Sequence, residues 1–154
     1  EGIGATLRRI TDTGVDTQII GQVRFPRAVL GAIVGAGLGI CGLITQSLLR
    51  NPLGDPYILG ISSGASTGAA AVIVFGTTSN ILSALGITFG AFLGAVASIL
   101  LVTLLASAGG KITPTRIIFA GMAVTYFFSA VTSLITLLAK NAAGTKSVMF
   151  WMLG

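Results

Sequence analysis

An all-α, polytopic transmembrane helix bundle is the fold class this sequence predicts, and three observations point to it. Hydrophobic residues make up 53% of the chain and charged ones only 8%, against about a quarter charged in a soluble domain. The mean hydropathy is +0.97. Charges and prolines collect between long uncharged runs rather than along them. Four spans follow, at about 28–49, 61–75, 81–106 and 117–139, with a short helix after the last.

The first span, Ala28 to Leu49, holds no charge and no proline. As a helix of about 22 residues it rises roughly 33 Å, enough to cross a bilayer core. Gly37, Gly39 and Gly42 read as G-x-G-x-x-G, but a dinucleotide site needs a strand before the glycines, a helix opening after them and an acidic residue about 20 positions on. That context is absent. "RNPLGDP" ends the span, since Pro52 and Pro56 cannot continue a helix. Asn51, Asp55, Ser62 and Ser63 offer too few oxygens for a dedicated cation site and read as helix-ending and capping groups. Ile61 to Phe75 is short for a full crossing, so it is a short or tilted helix, or one that starts below the headgroup level and is covered by its neighbours. "GTTSN" turns the chain into the third span, Ile81 to Ala106. After "SAGGKITPTR", Thr113 supplies a cap oxygen and Pro114 suits a first helical position, which starts the fourth span, Ile117 to Ala139. "KNAAGTKS" and an apolar turn ending at Trp151 follow.

The glycines have a packing explanation. No hydrophobic effect drives helices together in lipid, so close van der Waals contact matters, and four-residue glycine spacing lets backbones approach. Gly31, Gly35 and Gly39, then Gly64 and Gly68, then Gly86, Gly90 and Gly94 give three such faces.

Several functions are disfavoured. No Asp, Glu, Lys, Arg or His lies inside any span, whereas proton and ion carriers keep one there. The chain has no histidine and no P-loop, so nothing suggests an ATPase, a metal site, a cofactor or an acid–base pair; it is not read as an enzyme. Cys41 has no second cysteine to pair with. The net charge of +5 is scattered at span ends and makes no nucleic-acid stripe. The chain begins at Glu1 without a methionine and stops at "FWMLG", as a piece of a longer polypeptide would.

"RFPR", then "QSLLRNPLGDPYILGISSGAS", "TRIIFAGMAV" and "FWMLG" resemble the permease subunit of bacterial ABC importers for iron-siderophores, haem and cobalamin, the FecCD/BtuC-like family. "RNPLGDPYILGISSGA" is the most specific part, because membrane composition alone would not produce it. The resemblance implies about helices two to five, plus the short helix after them, of a ten-helix permease. It further implies a multi-pass protein of the cytoplasmic (inner) membrane that works as a homodimer. Cytoplasmic ABC ATPase subunits would drive it, and a periplasmic or lipid-anchored substrate-binding protein would deliver cargo. By the same resemblance Arg24 and Arg27, as the arginines of an RxPR motif, dock the binding protein. Thr113, Pro114 and Thr115 border the cytoplasmic gate, and Thr125, Ser129, Thr132, Ser133 and Thr136 line the pathway.

Charge and family disagree on orientation. Arg8, Arg9, Arg24, Arg27, Lys140 and Lys146 stand against Arg50, Lys111 and Arg116, and the positive-inside rule would place the larger group in the cytoplasm. The resemblance implies the reverse, with Arg24 and Arg27 outside, and it is preferred because the rule leans on a first helix absent here. The alternative function is a non-transporting four-helix membrane scaffold or assembly subunit, which predicts neither an ATPase partner nor a binding protein.

Overall fold

A computed structural model describes residues 20–76, 81–139 and 141–153, with the side chains of 81–84 excepted. Arg8, Arg9 and Lys140 of the charge comparison lie outside the described residues. Every regular element among those described is helical. The chain divides into two units, Glu1–Leu43 and Ile44–Gly154, with the boundary inside the first long helix.

In the first unit a π-helical turn, Ile20–Arg24, leads into α1, Phe25–Leu49. The helix starts three residues before the uncharged run does. Pro26 sits in its first turn, where a missing N–H breaks no intrahelical bond. Arg24 and Arg27 are therefore carried on helical backbone, and both are exposed. Leu30, Ile33 and Ile40 are each 60% exposed or more, as suits a helix surrounded by hydrocarbon.

The second unit holds the end of α1, a 3-10 turn at Pro56–Leu59, α2 (Ile61–Phe75), α3 (Ile81–Ser107), α4 (Pro114–Leu137) and α5 (Ala142–Leu153). The polar side chains between α1 and α2 serve as caps. Arg50 takes a positive φ of 49° just past the helix end, Asn51 Oδ1 accepts from the Leu53 N–H at 3.0 Å, and Asp55 Oδ1 accepts from the Tyr57 N–H at 2.8 Å. Gly60, at φ 70°, then redirects the chain into α2. Between α3 and α4, Gly110 has φ 101°, and the Arg116 guanidinium lies over Gly109 and donates to the Lys111 carbonyl at 3.2 Å. Thr113 caps α4 and Pro114 opens it. The helix begins where those two residues predict and closes at Leu137, with Leu138 as its C-cap.

Helices α2 and α3 meet backbone to backbone. A methyl group added at Gly64 would run into the Gly94 carbonyl, and one at Gly68 into the Gly90 carbonyl. Gly90 and Gly94 are closed off in the same way by Val72, Gly68 and Gly64. The row continues every fourth residue along α3 with Ser98, Val102 and Ala106, all buried. Ser98 donates to the Gly60 carbonyl at 2.8 Å, while Val102 and Ala106 join Leu49, Ile117, Ala120 and Val124 in one apolar cluster. A second cluster of Ala70, Ile135 and Val148 ties α2, α4 and α5 together. Small residues thus give way to larger ones along α3 as its partner changes from a helix to a turn and a helix end.

The other glycine faces stand differently. Gly86 has only Val72 Cγ1 at an ordinary 3.6 Å, and an added Cβ at Gly31, Gly35 or Gly39 meets nothing within 4 Å. Four-residue spacing shows that a face is small, but what lies opposite is set by tertiary placement. Conversely Gly121, which belongs to no glycine row, is required where α4 crosses the Ile58 carbonyl.

Candidate functional site

A groove of about 1070 Å³ opens along α2, α4 and α5. From α4 it receives Thr125, Ser129, Thr132, Ser133 and Thr136, positions that fall on one helical stripe. Ser62, Ser63 and Ser66 of α2 face it, and Asn141, Thr145, Met149 and Met152 come from α5 and the residues before it. Tyr57 and Gly60 of the 3-10 turn also belong to its wall.

Four of the hydroxyls are engaged as donors. Thr125 Oγ1 donates to the Gly121 carbonyl at 2.8 Å, Ser133 Oγ to the Ser129 carbonyl at 3.0 Å and Thr136 Oγ1 to the Thr132 carbonyl at 2.8 Å. Ser63 Oγ donates to the Gly60 carbonyl at 2.8 Å. Each bond turns the hydroxyl hydrogen back toward its own helix, so these four face the groove mainly with oxygen lone pairs. Deeper in, the Thr67 and Thr132 hydroxyls are 2.7 Å apart and Thr67 also reaches the Phe128 carbonyl at 2.9 Å. This pins α2 to α4 behind the wall, and no buried side-chain nitrogen or oxygen among the described residues is left without a partner.

Such a wall is mildly polar: among the described residues no lysine, arginine, aspartate or glutamate lines it. It holds neither a general base nor an activated nucleophile, and no group of three or more histidine, cysteine, aspartate or glutamate residues occurs among the described residues. A surface of this kind can solvate and slide a large solute without gripping it, because each hydroxyl contact is weak and none brings a fixed charge.

All five pathway candidates on α4 are brought into this one groove. Thr113 and Thr115 are exposed at the start of α4 and Pro114 is half-buried; none of the three lines it. Arg24 and Arg27 lie in the other unit. Sequence reasoning missed the α2 and α5 sides of the groove. Ser62, Ser63 and Ser66 carry a readable signal, spaced i, i+1, i+4 on a short helix, but reading the first two only as caps hid it. Asn141, Met149 and Met152 have no comparable signal.

The helices meet the requirements of a membrane-spanning protein: among the described residues three, at Ile20–Leu49, Leu85–Ser107 and Pro114–Leu137, are long and apolar enough to cross, and Ile61–Phe75 is a shorter apolar helix. The FecCD transport family model matches residues 3–154. The chain is 37% identical to the cobalamin import system permease protein BtuC of Halobacterium salinarum, over 88% of this chain and 35% of that protein. It is also 37% identical to the Fe(3+)-citrate import system permease protein YfmD of Bacillus subtilis, over 94% of this chain and 41% of that protein. A solved structure, an inward-facing conformation of a metal-chelate type ABC transporter, superposes with a TM-score of 0.76 at 31% identity, over 91% of this chain and 42% of that one. The chain therefore spans well under half the length of these relatives. A family-wide match over helices of this order and apolarity means that the chain belongs to the FecCD transport family, whose place is the cytoplasmic membrane, crossed several times.

Proposed function

We propose that the chain is the first-half portion of a permease subunit that imports a bulky metal chelate or corrinoid, such as an iron-siderophore, haem or cobalamin, through the groove between α2, α4 and α5. The observation that carries this is the hydroxyl-lined groove of about 1070 Å³, without a charged side chain among the described residues of its wall. That is as large as the clefts that enclose drug-sized ligands, which run to about 1,000 Å³. A pairing partner for the groove comes from a second permease copy, so cargo passes between two copies. Energy comes from separate ATPase subunits on the cytoplasmic side, where Thr113, Pro114 and Thr115 border the gate. Arg24 and Arg27 receive the substrate-binding protein on the opposite side. Membership of a transport family favours this reading over a non-transporting scaffold. Cobalamin and Fe(3+)-citrate appear in the names of relatives equally similar to this chain, so selection among cargoes belongs to the binding protein rather than to these helices.

The test is uptake by the full-length permease carrying Ser129→Trp. Ser129 is exposed in the groove, so the indole occupies the path without displacing a packed neighbour. Uptake should be lost while membrane yield, melting temperature and ATPase binding stay at the parent level. Undiminished uptake of a bulky cargo by the Ser129→Trp permease would overturn the pathway assignment.

A further inference from the structure

Away from the groove, α1, α3 and α4 leave a second recess at one end of the C-terminal unit. Leu48 of α1, Ile99, Val102 and Ala106 of α3, and Ile112 and Ile117 around the start of α4 surround a cleft of about 150 Å³. The single hydroxyl on its wall, Thr103 Oγ1, donates to the Ile99 carbonyl at 2.8 Å, so nothing there calls for water. Apolar cavities of about this size stay dry and take hydrocarbon.

Three cations neighbour residues of this wall along the chain. Arg50 lies two residues beyond Leu48, Lys111 immediately precedes Ile112, and Arg116 immediately precedes Ile117. Leu49, Ala106 and Ile117 pack in one cluster, which brings the three chain segments together, and Arg116 is held toward Lys111 by its bond to the Lys111 carbonyl. All three side chains are exposed. The only acidic residue among the described residues, Asp55, is at the same turn region and its carboxylate accepts from the Tyr57 N–H. Two cations remain in excess after it is counted.

We propose that this recess is a binding site for one anionic phospholipid, its acyl chain in the apolar cleft and its phosphate among Arg50, Lys111 and Arg116. Basic pockets between membrane helices hold anionic headgroups in this way. The charge and the cleft are complementary to the two halves of one molecule, whereas an apolar protein segment would leave the cations unmatched. Arg116 also closes the turn between α3 and α4, so a bound headgroup would brace the connection that leads into α4.

The experiment uses the full-length permease, equilibrated with a mixture of phosphatidylglycerol and phosphatidylcholine and assayed by native mass spectrometry for retained lipid. Phosphatidylglycerol should be retained selectively, and the double variant Arg50→Gln with Lys111→Gln should lower that selectivity by roughly five-fold per cation removed. Thr103→Phe fills the cleft while keeping every charge, and it should also abolish retention. Lys146→Gln, a charge removed from α5, should change nothing. Equal retention of the two lipids, retention unaffected by Thr103→Phe, displacement by millimolar inorganic phosphate, or no retained lipid because the rest of the permease fills the cleft would each overturn the proposal.

Discussion

At Gly64, Gly68, Gly90 and Gly94 the absent side chain is the contact, since a Cβ at Gly64, Gly68 or Gly94 would occupy the position of a facing carbonyl and one at Gly90 would press on Val72. Overpacking of that kind costs about 1–3 kcal/mol, and a backbone cannot swing away as a flexible side chain can. Gly68→Ala should therefore lower the melting temperature of the detergent-purified permease by several degrees, and Gly90→Leu by more. Gly86→Ala, with 3.6 Å to spare against Val72, should leave it nearly unchanged. Val102→Leu borders the 150 Å³ cleft and should cost less than about 1.5 kcal/mol. Equal melting for Gly68→Ala and Gly86→Ala would contradict the packing described here. Sequence spacing finds all eight of the small positions but cannot rank them. Rank comes from the opposing carbonyls, which belong to segments tens of residues away, and that is also why Gly121 and the buried hydroxyl of Ser98 were not legible.

Elements were read best where their ends carry chemistry. Thr113 and Pro114 mark the start of α4 because a side-chain oxygen and a fixed φ act locally, and the NPLGDP break is legible for the same reason. Helix α1 starts at Phe25, three residues before the uncharged span of Ala28 to Leu49, because Pro26 permits a first turn that includes Arg27. Between elements, the Thr67–Thr132 pair at 2.7 Å is a polar link between α2 and α4. A double-mutant cycle with Thr67→Val and Thr132→Val, followed by unfolding in detergent, should return a coupling of about 0.6 kcal/mol, the usual size for hydroxyl bonds between membrane helices. Strict additivity would mean that the two hydroxyls act independently. The double variant should still assemble, since Ala70, Ile135 and Val148 hold the same helices by packing.

On the scale of the whole permease, the charge-free spans spoke against a proton or ion carrier, while the groove itself was only half visible. Its α4 stripe shows in the sequence, but the α2 and α5 walls join it only through folding. The docking role of Arg24 and Arg27 is tested in the full-length protein by reversing both to Glu. Like charges across an interface cost several kcal/mol and slow encounter, so uptake should fall, Glu→Arg changes on the binding protein should restore part of it, and affinity should weaken with salt. A salt-insensitive affinity unchanged by the reversal would remove that role. The central claim, that the hydroxyl-lined face is the transport path, is tested most directly by thiol labelling. In a full-length permease with Cys41→Ala, the single substitutions Ser129→Cys, Ser133→Cys and Leu104→Cys are treated with a membrane-impermeant, water-soluble reagent, with and without cargo and binding protein. The Ser129→Cys and Ser133→Cys thiols should label and be protected during transport, whereas the thiol of Leu104→Cys, at an exposed apolar position of α3, should stay unlabelled; unreactive groove thiols beside a reactive thiol in Leu104→Cys would contradict the account.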